Sequence, residues 1–162
     1  MNARAAWRLE QLGFPHVYRY APGKADWLAA GLPTEGRRAG TPRAGAVARR
    51  DVPTCSPAER VGEAARRARD ARWDTCIVVN EAGVVLGRLR GSALDASDER
   101  RVEKAMEDGP TTTRADDALE SLVPRMRRRN VPAIVITDPD GRLLGVLHID
   151  DAEAALPRSR PR

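Results

Sequence analysis

The chain has 162 residues, 41% of them hydrophobic and 4% aromatic, with a formal net charge of +5. That length makes one large domain or two small motifs sharing a core, and no apolar run approaches a membrane span. The positive balance admits an anionic partner, but the arginines are spread along helix faces and a short tail, and stacking aromatics are scarce, so nucleic-acid binding is not expected.

Met1 to Glu10 contains no apolar h-region and is not a signal peptide; a cytoplasmic, non-membrane protein is expected. Residues 3–12 place Ala6, Leu9 and Leu12 on one face of a short helix, which Gly13 stops. Val17-Tyr18-Arg19-Tyr20 reads as a short strand. Pro22-Gly23 turns the chain, and residues 25–30 form a further helical turn or two before Gly31. Leu12-Gly13-Phe14, Val17-Tyr18 and Trp27-Leu28-Ala29-Ala30-Gly31-Leu32-Pro33 resemble the C-terminal end of a rhodanese domain, over about thirty residues. A rhodanese works through a cysteine nucleophile in a loop whose backbone N–H groups stabilise the thiolate. That loop would lie upstream of this segment, and neither Cys55 nor Cys76 lies in such a loop. The resemblance therefore implies a remnant over residues 1–36 without sulfurtransferase activity.

Residues 37–51 are rich in Gly, Pro, Arg and Ala and show no periodicity. They read as a flexible connector, partly draped over the domain that follows. Its arginines (Arg37, Arg38, Arg43, Arg49, Arg50) could meet an anion. From Val52 a repeat begins. Thr54-Cys55 ends an extended stretch, and Ser56 or Pro57 opens a helix with Val61, Ala64, Ala65 and Ala68 on its apolar face. Residues 74–79 and 84–89 are strands around a turn at 80–83. Then Thr112 answers Thr54, Leu119 answers Val61, Met126 answers Ala68, Gly141 answers Gly83 and Gly145 answers Gly87, each offset by 58 positions. Repeats of this kind stack to complete one core. The two cysteines lack the spacing of a zinc site and are too few for a disulfide framework; they read as reduced core thiols.

Residues 94–109 join the copies, with a helix expected from Asp98 to Met106. Pro124 falls inside the second copy's helix, so a kink or restart is expected near residues 122–125. A short helix follows Asp151 and ends before Pro157, and residues 157–162 form a basic tail. The organisation expected is thus 1–36, a connector 37–51, copies at 52–97 and 98–156, and the tail.

Each copy ends on an apolar strand running into a helix start: Gly145-Val146-Leu147-His148-Ile149-Asp150-Asp151, and in weaker form Gly87-Arg88-Leu89-Arg90-Gly91-Ser92-Ala93. Together with Met106, Thr111-Thr112, Ala118-Leu119, Met126, residues 131–135 and residues 138–141, these stretches resemble the cystathionine β-synthase (CBS) motif, present twice as a CBS pair or Bateman module. The resemblance covers about two-thirds of the chain. It implies an α+β fold, α/β-like in character, of tandem β-α-β-β-α repeats sharing one core.

CBS pairs commonly bind AMP, ADP, ATP or S-adenosylmethionine in clefts between the motifs. The resemblance places the ribose-binding carboxylate at Asp151, which suits paired hydroxyls. His148 takes the phosphate-facing position usually held by Thr or Ser, and a protonated histidine would make binding pH-dependent. In the first copy the same positions are Arg90 and Ala93. Arg90 suits a phosphate; Ala93 cannot hold a ribose. The adenine wall for the Asp151 site falls on Pro53, Thr54, Trp73, Asp74 and Thr75. Each has a plainer reading beside it: Trp73 as core, Asp74 as a turn cap, Asp151 as a helix N-terminal carboxylate.

No catalytic set is evident, since His16 and His148 have no nucleophile partner in sequence. The chain reads as a non-enzymatic sensing module with no required cofactor or metal, acting on an unidentified effector in trans. The alternative is a ligand-free interaction domain. In either case the resemblance implies a homodimer through the helices, at Val61/Ala65 and Leu119/Leu122.

Overall fold

The computed structural model describes residues 3–18, 20–21, 23–36, 39–95 and 99–157. Helices α1 (Ala3–Gln11) and α2 (Gly23–Ala29) come first. Gly13 and Gly31 then end them at positive φ. The strand expected over 17–20 does not form: its described residues have no regular structure. Tyr18 is 82% exposed, so an extended chain there has no sheet to join. Trp7, Leu12 and Phe14 are likewise exposed. Pro22, Arg19, Arg37, Arg38, Asp98 and residues 158–162 of the tail lie outside the described residues.

The first copy folds as α3 (Ala44–Val47), β1 (Thr54–Cys55), α4 (Val61–Asp70), β2 (Thr75–Val79), β3 (Val85–Arg90) and α5 (Ser92–Asp95). The second has a 3-10 turn (Val102–Lys104), β4 (Glu107–Asp108), β5 (Thr112–Arg114), α6 (Leu119–Arg128), β6 (Ala133–Thr137), β7 (Leu143–His148) and α7 (Ile149–Ala154). One sheet has the order β1-β2-β3-β4 and the other β5-β6-β7. In each, a parallel pair is followed by an antiparallel hairpin. The same irregularity recurs 58 positions apart, at Val78/Val79 and Ile136/Thr137.

The hairpin turns explain their own sequences. Asn80 Oδ1 accepts the N–H groups of Ala82 and Val84, and Asp138 Oδ1 accepts those of Asp140 and Arg142. Such Asx turns let a side chain imitate a backbone turn. The tips then bond each other reciprocally: Val85 N–H donates to the Gly141 carbonyl and Leu143 N–H to the Gly83 carbonyl, both at 3.0 Å. The sheets meet at Val52, Trp73, Ile77, Val135 and Val146.

The helices pack as their periodicity dictates. Val61, Ala64, Ala65 and Ala68 are buried on α4, and Leu119, Leu122, Val123 and Met126 on α6. These are the faces expected to meet a second chain. They are already inside a single chain, Val61, Ala65 and Leu119 at 0% exposure, and leave no apolar surface there for a partner. Pro124 causes no restart, and α6 runs unbroken from Leu119 to Arg128. Pro124 and Glu120, whose carbonyl loses its donor, both face solvent, where water can satisfy it.

The stretch from 42 to 49 is not a free connector. Ala44 is fully buried in the second motif's core, and Arg49 pairs with Val146 of β7. Its counterpart 58 positions on does the reverse. Val102 is buried in the first motif's core, and β4 pairs with β3. Of the helix expected from Asp98 to Met106, the described residues 99–106 keep only the 3-10 turn. The chain there is spent on crossing between motifs instead. Each crossing segment also completes the other motif's helix. Val61 N–H donates to the Arg100 carbonyl and Leu119 N–H to the Pro42 carbonyl, both at 2.9 Å. These are among the N–H groups that a helix cannot satisfy itself, and neither Arg60 nor Ala118 provides a side-chain cap.

Two stability predictions follow from this packing. A Cβ on Gly145 would lie 2.5 Å from the Arg49 carbonyl oxygen, so Gly145→Ala should cost about 2 kcal/mol by forcing the crossing segment off β7. Pro124→Ala should stabilise by about 1 to 2 kcal/mol. Urea unfolding of both variants beside the parent checks the two signs.

Candidate functional site

The pseudo-twofold repeat makes two clefts between the motifs, equivalent in backbone and unequal in side chains. The first holds a cavity of about 240 Å³. Its floor is Ile77, Val135 and Val146, one rim is Arg88 and Arg90, and the facing rim is Thr111 with residues 130–133. Asp74 and Thr75 also line it. Of the residues expected to bind ligand, Arg90, Asp74 and Thr75 therefore come together here. Thr75 Oγ1 donates to the Leu89 carbonyl at 3.1 Å and so helps hold β2 on β3.

Arg88 and Glu107 are additions to the expected set. Arg88 and Arg90 alternate along β3 and so share a face, which is a signal the sequence carries. Glu107 bridges them. Its carboxylate accepts from Arg90 Nε at 2.8 and 2.9 Å and from Arg88 Nε at 3.0 Å. The Arg90 hydrogen bond holds the Glu107 carboxyl below its ordinary value, against slight desolvation, and Arg88 adds to the effect. Nothing in the local sequence pairs Glu107 with β3; that contact depends on the crossing of β4.

Around the second cleft, Trp73 and His148 of the expected residues pack together. Trp73 is 6% exposed. Its ring lies 5.5 Å from that of His148, tilted by 45°. The Arg49 guanidinium sits 4.3 Å from its centroid, a cation–π contact. Asp51 holds Arg49 by a 3.1 Å ion pair. That hydrogen bond from Arg49 is the main reason the Asp51 carboxyl is lowered; the nearby Trp73 indole contributes least. Trp73 Nε1 and His148 Nε2 are both buried; the indole N–H has only its weak interaction with Asp51, and His148 Nε2 has no hydrogen-bond partner among the described residues. Pro53 is buried, and its carbonyl accepts Ile77 N–H in the β1–β2 ladder. The Thr54 carbonyl accepts from Arg67. Asp151 is exposed in the first turn of α7, with no ion pair among the described residues.

The difference between the clefts is one of side-chain volume. By the 58-residue repeat, Val131 stands opposite Trp73, so the first cleft keeps the space that the indole fills in the second. Charge is exchanged too: Glu107 corresponds to Arg49, and Arg90 to His148.

The thiols of Cys55 and Cys76 lie buried in the first motif's core. The neighbouring Cys76 thiol, and then burial, push Cys55 well above the usual thiol range. Among the described residues no group of three or more His, Cys, Asp or Glu is placed to hold a metal ion, and no helix is long and apolar enough to cross a membrane.

A family model for the CBS domain matches residues 44–90 and 102–158. The chain belongs to the CBS domain family, and the match covers both motifs. The two matched stretches start 58 positions apart, so they include the crossing segments. Among solved structures, the cytosolic domain of the Mg2+ channel MgtE in complex with ATP is similar over 70% of this chain, at 24% identity and TM-score 0.63. This chain covers 48% of that one, less than half its length. CBSX2 of Arabidopsis thaliana, in complex with AMP, matches over 70% of this chain and 94% of its own, at 16% identity and TM-score 0.61. A CBS domain pair in complex with 5′-methylthioadenosine and S-adenosyl-L-methionine matches over the same shares, at 17% identity and TM-score 0.60. At these identities the likeness establishes the fold. No curated protein matches the chain.

The Glu107 cluster gives a pH prediction. A carboxyl lowered in the folded state stabilises the fold fully above its ordinary value of 4.5, and that contribution is lost as pH falls through the lowered pKa. Glu107→Gln removes this contribution, so its stability should fall less steeply than the parent's between about pH 5 and about pH 3. Urea midpoints across that range read the difference.

Proposed function

We propose that the chain is a non-catalytic regulatory CBS pair that binds an adenosine-containing ligand in the Arg90 cleft. The observation that carries this reading is the open cavity itself, with an apolar floor under a flat ring system and two guanidinium groups at one rim. AMP, ADP, ATP and S-adenosylmethionine are the candidate class, and solved relatives hold ATP, AMP and S-adenosylmethionine. Ala93 occupies the ribose-carboxylate position of this cleft, so the anionic end of the ligand must supply more of the affinity. Arginine pairs suit polyphosphate because their donors match phosphate oxygens and the bonds are charge-assisted. The expected order is ATP, then ADP, then AMP, with the sulfonium ligand last.

Asp151, first expected to anchor the ligand, belongs on this reading to the other cleft. Residues 1–36 are read as a rhodanese-like remnant; neither cysteine lies in this segment, and both are buried in the first motif. The setting is a cytoplasmic one, with output to an effector in trans.

A second reading is a ligand-free interaction module. It is favoured by Glu107, which already pairs with both Arg88 and Arg90. Any homodimer would then use surfaces other than the buried faces of α4 and α6.

Calorimetric titration with the four ligands separates the readings. ATP should bind, and Arg90→Ala should weaken it about tenfold or more, or about 1.4 kcal/mol. Asp151→Ala should leave it unchanged. Loss of binding in Asp151→Ala would move the site to the other cleft, and no binding by any ligand would leave the interaction module.

A further inference from the structure

We propose that Trp73 is an internal plug that keeps the His148–Asp151 cleft shut, so that the chain takes one ligand where its twofold architecture provides for two. This rests on the reading that the Arg90 cleft takes an adenosine-type ligand. The ligand of the second cleft would be of the same class, held through its ribose by Asp151.

Three independent observations carry the inference. The two clefts share one backbone plan, and the side with Val131 holds a cavity. On the other side the indole lies between the His148 ring and the Arg49 guanidinium. Secondly, Asp151 is exposed in the first turn of α7, without an ion pair among the described residues, so it is free to reach a ligand. Thirdly, the closed arrangement leaves His148 Nε2 buried without a hydrogen-bond partner among the described residues. Buried polar groups are normally hydrogen-bonded, and leaving one unpaired opposes the arrangement that buries it. That atom opposes closure, while aromatic burial and the Arg49 contact favour it. The plug is thus a balanced one, and its clamp is Arg49, fixed by Asp51 and by its backbone pairing to Val146.

The test is the stoichiometry of ATP binding by calorimetry. The parent should bind one ATP per chain. Trp73→Val, which copies the side chain of the open cleft, should bind two, and adding Asp151→Ala should return it to one. Arg49→Ala removes the clamp without hollowing the core and should show a second, weaker binding phase. It decides the question alone if Trp73→Val does not fold, as judged by circular dichroism. One site in every folded variant would overturn the plug and leave the Arg90 reading standing. Two sites in the parent would also overturn it. No site in the parent but one in Trp73→Val, lost with Asp151→Ala, would overturn the Arg90 reading and uphold the plug. No binding by any variant would overturn both.

Discussion

Two short pieces of chain, 42–49 and 100–107, are exchanged between the motifs, and the rest of the structure depends on that exchange. Each supplies backbone partners in the other motif. Ala44 N–H reaches the Asp117 carbonyl as Val102 N–H reaches that of Glu59, and Gly45 reaches Ala115 as Glu103 reaches Pro57. Backbone bonds of this kind contribute about 1 kcal/mol each, but an unmade one in a buried place costs more. A single motif without its partner would lose a helix cap, a core residue and a neighbour for its last strand. At about fifty residues it would also bury too little surface to compensate. The pair is therefore the folding unit, and the clefts between its halves are fixed features.

Once the backbone is symmetric, the function of each cleft is left to a few side chains. Position 73 or 131 decides whether there is space, through an indole or an isopropyl group. Position 49 or 107 decides the charge brought in by the crossing segment. Arg49 complements an aromatic pair, and Glu107 complements two arginines. The position of Asp151 is held by Ala93 in the other copy, and on the proposed reading that is the position of the ribose carboxylate. A chain that duplicates its fold can in this way separate features that a symmetric ancestor would have kept together.

The repeat was legible in the sequence because its markers are local: Gly83 and Gly141 in turns, Val61 and Leu119 at helix starts, and alternating strands. Even Arg72 and Asn130, both at positive φ after their helices, keep the offset. The exchange was not legible. Ala44 and Val102 are small apolar residues without a pattern, and their contacts are largely backbone bonds that carry no sequence signature. The same blindness hid Glu107, which reaches β3 only because β4 crosses. The volume of Trp73 against that of Val131 at the equivalent position matters only once the two halves are placed together, and no local pattern in the sequence shows it. The helix was judged breakable at Pro124 on propensity alone; the four buried residues of α6 outweigh that local cost.

The exchange also settles how the two ends of the molecule are tied. Helix α2, with Leu28 at 8% exposure, packs against α3, and α3 packs in turn against β7 and α7. The crossing segment that carries α3 ends at Arg49, the residue that clamps Trp73. Helix α2 is thus connected through the stretch 42–49 to the residues packed around Trp73. Packed interiors shift between discrete arrangements and do not deform gradually. A change at Arg49 must then be taken up by β7 on one side and by α3 on the other, and the latter is the surface on which α2 rests.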